Sequence, residues 1–280
     1  MGLTRRIAAV VVPLGLVIGG VAYGVSRHSS NDDKTLGECT TKVGRLTVVL
    51  TDEQARNASL ISAISIRRGM PAHAATIGLA TALQESKLYN LRGGDRDSLG
   101  IFQQRPSEGW GTPSEILDPV HATNSFYDAL EKVPGYADLP VTKAAQEVQH
   151  SGFPEAYASY ENDARALASA LTGYSAGAFW CHLPAPAGPA TPAPRRASDL
   201  RKALLPAFGS LDVSVGVGGH VEVAAPSAPR GWALASYVVA HAHALGVATV
   251  TFQGREWSAD SNRGWQHAAD SASPDSVVVG

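Results

Sequence analysis

Glu85 is the residue of this 280-residue sequence best placed for proton chemistry. It lies near the end of an apolar stretch and opens the segment 80–111, ATALQESKLYNLRGGDRDSLGIFQQRPSEGWG. Counting back by helical steps, Glu85 shares a face with Thr81, Gly78, Ile77 and Ala74, so its surroundings are largely apolar. Burial and the negative end of the helix dipole both disfavour a carboxylate. Each pushes the pKa above the ordinary value of about 4.3. A carboxylic acid that keeps its proton near neutrality can protonate a leaving oxygen, as cleavage of a glycosidic bond requires. Asp95 and Asp97 follow in a Gly/Asp-rich loop, where an inverting hydrolase would keep a water-activating base. Aspartates in such loops also serve turn formation.

After that loop, residues 98–105 read as a short strand halted by Pro106. Alternation puts Leu99, Ile101 and Gln103 on one face and Gly100, Phe102 and Gln104 on the other. The run Glu85-Ser86, then Ser98-Leu99-Gly100-Ile101-Phe102-Gln103, resembles the Glu-Ser…Ser-x-Gly-apolar-apolar-Gln signature of the lytic transglycosylases, a lysozyme-like family. The resemblance covers about residues 50–175. It implies a mainly helical domain with a small β-hairpin beside the acid, and cleavage of β-1,4 bonds in peptidoglycan. It further implies that Glu85 is acid and then base, with no second carboxylate and no cofactor. Gln103 matches the position whose amide contacts the acid or substrate, and Ser86 and Ser98 those that bond near the acid and the N-acetyl group. Gly100 would allow a sugar ring close to the backbone. Trp110 could stack on a sugar or belong to the core.

One departure bears on mechanism. The family commonly carries Ala-Tyr-Asn-Ala-Gly in a later helix, with the Tyr touching the catalytic region. The best match here is Val148-Gln149-His150-Ser151-Gly152, without a Tyr. Tyr157 lies nearby but is not the equivalent, and His150 fills at most part of the gap. Transglycosylase and hydrolase therefore both stay open, as does a non-catalytic wall-binding protein that retains the fold.

Helix signals frame the acid. Thr51 and Gln54 form a capping box for a helix ending before Gly69, and Pro71 opens the helix carrying Glu85. Thr112 and Glu115 form a second box, and Asp118-Pro119 starts another helix. Thr142 would cap a helix running to His150, and Pro154 would open one ending near Thr172.

The chain as a whole divides into an anchor at 1–26, a polar spacer at 27–50, the lysozyme-like domain at 51–181, a Pro/Ala-rich linker at 182–197 and a small α+β unit at 198–280. The uncharged run 7–25 after Arg5 and Arg6 is about long enough to cross a bilayer and favours a cytoplasmic N-terminus. A cleaved signal peptide is the alternative. Either puts the folded parts outside. There Cys39 and Cys181, flanking the helical domain, would bridge, the alternative being two unpaired thiols. Hydrophobic residues at 44% and charged ones at 17% describe a globular protein, and a net charge of −2 gives no reason to expect nucleic acid.

The tail reads as a helix at 199–207, strands at 211–217 and 219–224, a helix at 232–245 and a strand at 247–252. It resembles a module appended to exported actinobacterial wall proteins. Trp232, Trp257 and Trp265 would bind wall polymer or pack a core. No metal site is expected, because the i, i+2 spacing of His241 and His243 splays the rings on a helix.

Overall fold

The computed structural model describes residues 37–184, 191–268 and 275–280. The expected anchor and most of its spacer lie outside the described residues. Among these no helix is long and apolar enough to cross a membrane. The described residues are α+β, with two antiparallel sheets and a largely helical middle.

The stretch expected to be spacer carries instead a β-hairpin, β1 (Glu38–Val43) and β2 (Leu46–Thr51), turning at Gly44 with φ +59°. Its physical basis is alternation: ECTTKV and LTVVLT are rich in β-branched residues that bury every second side chain. β3 (Phe179–His182) returns to pair with β1, placing Cys39 opposite Cys181. The two sulfurs are bonded, with Cα atoms 3.9 Å apart.

The helical middle begins at α1 (Asp52–Arg67), and Thr51 forms the expected capping box with Gln54. α2 (Ala72–Ser86) is apolar on every side and is enclosed by α1, α4 (Pro119–Leu130), α5 (Val141–Gln149) and α6 (Glu161–Leu171). Thr112 caps α3 (Pro113–Ile116) with its own box, and Asp118 caps α4. α5 starts after Pro140, so Thr142 lies inside the helix and is not its cap. Residues 154–160 form a 3₁₀ segment before α6, where a single α-helix was expected.

Segment 98–105 is not a strand. It turns at Gly100 and Gln103, with φ of +78° and +47°, and pairs only through isolated bridges, Leu91 with Gly100 and Leu99 with Gln104. The alternation of faces fails accordingly, and adjacent Ile101 and Phe102 are both fully buried.

The tail joins the helical part through one continuous core. α7 (Ala193–Phe208) reaches back into the stretch expected to be linker, because Pro192 and Pro194 fit the first turn of a helix. With α8 (Ala228–Ala240) it packs on the far side of α1. α1 is thereby covered on both faces. Its buried Ser59, Ser62 and Ser65 satisfy their hydroxyls on α1's own carbonyls, at 2.9, 2.9 and 2.7 Å. Two expected tail strands are present in shorter form as β4 (Val213–Val215) and β5 (Val221–Ala224). The helix expected at 232–245 breaks at His241 into α8 and α9 (Ala242–Leu245). β6 (Thr249–Phe252), β7 (Arg255–Ser258), β8 (Gln266–His267) and β9 (Ser276–Val279) complete a sheet of order β4-β5-β9-β6-β7-β8.

Three hydrogen bonds lock the tail to β3 and its end. Trp265 Nε1 donates to the Phe179 carbonyl at 2.7 Å, and Trp257 Nε1 to that of Cys181 at 2.7 Å. The Leu183 N–H reaches Ala259 at 2.7 Å. At Gly173 a Cβ would stand 1.8 Å from the Pro229 carbonyl, so only glycine allows the end of α6 this close to α8.

Candidate active site

Glu85 sits in the last turn of α2, half-buried, where the burial of Ala74, Ile77, Gly78 and Thr81 supplies the apolar surroundings expected. Loss of solvent raises its pKa, and this outweighs three opposing influences. Those are hydrogen bonds from Tyr157 and Gln149 and the positive charge of Lys87. The Tyr157 hydroxyl donates to Glu85 Oε1 at 2.7 Å. Tyr157 is itself fully buried. Burial, followed by the neighbouring Glu85 carboxylate, pushes its phenol well above the usual range and keeps it a donor. Gln149, the last residue of α5, also donates to the Phe102 carbonyl at 2.9 Å. A carboxyl with two donors and an apolar flank can release a proton and remain stabilised as the anion.

The other expected residues divide. Ser86 is buried and its hydroxyl bonds to the Ile101 carbonyl at 2.7 Å, fastening the loop to the end of α2. Ser98 is buried in the turn whose N–H bonds to the Asp95 carbonyl at 3.1 Å. A Cβ on Gly100 would stand 2.6 Å from the Ile116 carbonyl, so the space it leaves is taken by α3. Gln103 and Trp110 line a cleft of about 680 Å³ together with Gln149 and His150. Glu85 is not part of that wall; Gln149, which is, bonds to it.

The two loop carboxylates differ. Asp97 accepts from Arg105 Nε at 2.8 Å and from the Ser107 N–H at 2.8 Å, and these hold its pKa down at about 2, the Ser107 bond contributing most. Such a carboxylate is a weak base. Asp95 is exposed, 3.9 Å from Arg96 Nε.

Sequence reasoning missed Gln149 as a partner of the acid and set Tyr157 aside. Tyr157 is 72 residues from Glu85 and sits on a 3₁₀ segment, so no helical spacing announces it. A backbone feature marks the same region without reference to any family. Six described non-glycine residues have φ above zero: Lys87, Leu88, Arg96, Gln103, His150 and Gln253. The first two follow Ser86 at the end of α2, and the next three line the cleft. Such conformations cost on the order of 1–3 kcal/mol each and gather where function requires them.

No cluster of three or more His, Cys, Asp or Glu able to hold a metal occurs among the described residues. His241 stacks on Tyr237 and bonds to its carbonyl at 2.9 Å, and desolvation lowers its pKa to about 4. His243 is exposed. No curated protein matches the chain. Residues 210–278, all within the tail, match the model of a family described as VldE, C-terminal domain.

Proposed function

We propose that this protein cleaves β-1,4 glycosidic bonds of bacterial peptidoglycan by a lytic-transglycosylase-like mechanism in which Glu85 is the sole acid and base. The observation that carries this reading is the Glu85 carboxyl, whose pKa is raised by loss of solvent in its apolar setting and which accepts a hydrogen bond from Tyr157 at 2.7 Å. Protonated Glu85 gives its proton to the leaving glycosidic oxygen as the bond to the anomeric carbon breaks. The substrate's N-acetyl oxygen assists at that carbon. The resulting carboxylate, stabilised by Tyr157 and Gln149, then takes the proton of the sugar's own 6-hydroxyl, which closes a 1,6-anhydro ring. No water is consumed. The low basicity of Asp97, tied to Arg105 and Ser107, favours this route over a hydrolase with a second carboxylate.

The disulfide between Cys39 and Cys181 supports a location outside the cytoplasm, with residues 7–25 as the tether. Ser86 and Ser98 brace the loop beside the acid, and Gln103 and Trp110 contact the strand. The tail, through α7 and α8, buttresses α1 from behind.

The test is mass spectrometry of products formed by the purified chain from peptidoglycan. Anhydro ends, absent with Glu85→Gln, are expected. Reducing ends, heavier by one water, would mean hydrolysis. No cleavage by the wild type would leave a wall-binding protein.

A further inference from the structure

Two tyrosines on one short segment meet two residues at the end of α2. The 3₁₀ segment 154–160 has about three residues per turn, so Tyr157 and Tyr160 lie one above the other on the same side. Tyr157 donates to Glu85 Oε1 at 2.7 Å. Tyr160 accepts from the ammonium of Lys87, which also lies 4.1 Å from the centre of the Tyr160 ring. Residues two apart on a continuing α-helix point to different sides. Lys87 escapes that rule because it ends α2 in the left-handed conformation, with φ +56°. Glu85 and Lys87 are thus gripped by one segment.

Glycine is the residue that such a helix end favours, and no burial accounts for a lysine, since Lys87 is exposed. An exposed lysine ordinarily keeps its ammonium in water. Here the ammonium is held against a half-buried tyrosine, and its residue stands two places from the acid. Other charged groups surround this end of α2. On α1, Asp52 pairs with Arg56, and Glu53 accepts from the Asn90 N–H at 2.9 Å. On α6, Glu161 holds Arg165 at 2.6 Å, and Asp163 sits in the first turn. Glu147 and His150 of α5 and Glu155 of the 3₁₀ segment are exposed. Loss of solvent is the largest influence on the Glu85 carboxyl, and Lys87 is the cation that opposes it.

The geometry points to Tyr160 as a positioning residue: it holds the Lys87 ammonium beside Glu85, and Lys87 steadies the carboxylate that Glu85 becomes on releasing its proton. The hydroxyl gives the contact direction as a hydrogen-bond acceptor, and the ring adds the attraction of its π-system for a cation. A charge already fixed near the acid acts at proton release without further reorganisation. The same segment therefore serves the acid twice, directly through Tyr157 and by way of Lys87 through Tyr160. The inference rests on the proposed acid role of Glu85 only for the purpose of the charge, because the contacts exist without substrate.

The test follows the Glu85 titration by NMR of the carboxyl-labelled full chain, without substrate. Lys87→Gln should raise the midpoint, favouring the protonated form about threefold more, the scale of one exposed charge. Lys87→Arg should stay near the wild type. Tyr160→Phe should reproduce part of the Lys87→Gln shift. It should add nothing in a chain already carrying Lys87→Gln, because Tyr160 acts on the acid only through Lys87. At about 1 M salt, with a screening length of roughly 3 Å, the wild-type midpoint should rise toward that of Lys87→Gln, which itself should barely move. Lys87→Gly should shift Glu85 as Lys87→Gln does and keep or raise the unfolding midpoint, which separates lost charge from lost fold. No shift in Lys87→Gln, no shift in Tyr160→Phe, or a full Tyr160→Phe shift in the double variant would overturn the inference. So would a wild-type midpoint indifferent to salt. Failure of the wild type to cut glycan would remove the proposed activity and leave these titrations standing.

Discussion

Tyr157→Phe removes one oxygen from the candidate site and nothing else of size. The lost hydroxyl donates to Glu85 Oε1 at 2.7 Å, and it favours the ionised carboxyl. A hydrogen bond to a charged group is worth about 1.5–3 kcal/mol. Gln149 still donates after the substitution and Glu85 is only half-buried, so the lower end applies. About 1.4 kcal/mol is a tenfold change in an equilibrium, so the protonated form of Glu85 should be favoured roughly tenfold more than in the wild type. A carboxyl-labelled sample followed by NMR reads this directly as an upward move of the Glu85 titration. The alkaline limb of glycan cleavage should move the same way, with a lower plateau because the anion is less stabilised. An unchanged or downward titration would refute the reasoning, since the hydroxyl would then not be holding the carboxylate.

Other outcomes follow from the same geometry. Glu85 has a folded pKa above its unfolded one, so its contribution to stability is present at low pH and is lost as pH rises through the folded value. Glu85→Gln should abolish cleavage, fold normally and flatten that part of the stability–pH curve, measured by urea unfolding across pH. His150 ends α5 with φ +49° and is exposed, so His150→Gly should raise stability by about 0.5–1 kcal/mol in the same assay. Reduction of the bridge, whose sequence separation is 142, should lower stability by at most about 5 kcal/mol on the loop-entropy relation. Calorimetry with and without reductant checks this.

What the sequence made legible was local. Thr51 with Gln54 and Thr112 with Glu115 announce helix starts within four residues, and the structure has both boxes. Pairing across the chain was harder. β1 and β2 have an alternating pattern and a glycine turn, but their polar threonines and their place after an apolar run made them resemble a spacer. Segment 98–105 alternated too, yet its path is set by Gly100 fitting against the Ile116 carbonyl, which no pattern of hydrophobicity encodes. The apolar flank of Glu85 was readable from helical periodicity. Its partners Gln149 and Tyr157 arrive from α5 and a 3₁₀ segment through tertiary packing alone.

The pairing of β1 with β3 sets a timetable for folding. β1 gains its second neighbour only when residues 179–182 are delivered, more than a hundred residues later. At synthesis rates of about 5–20 residues per second, that wait is on the order of ten seconds. Bringing the ends of so long a loop together costs about 4 kcal/mol of chain entropy before any contact repays it. α1 and α2 lie wholly between the two strands in sequence and can assemble first, whereas the three-stranded sheet closes late. Throughout the interval β1 exposes an open edge and Cys39 is a lone thiol, the only other cysteine being Cys181. These two cysteines allow one pairing with each other, so a wrong bond at this stage takes its second sulfur from elsewhere, a small thiol or another protein.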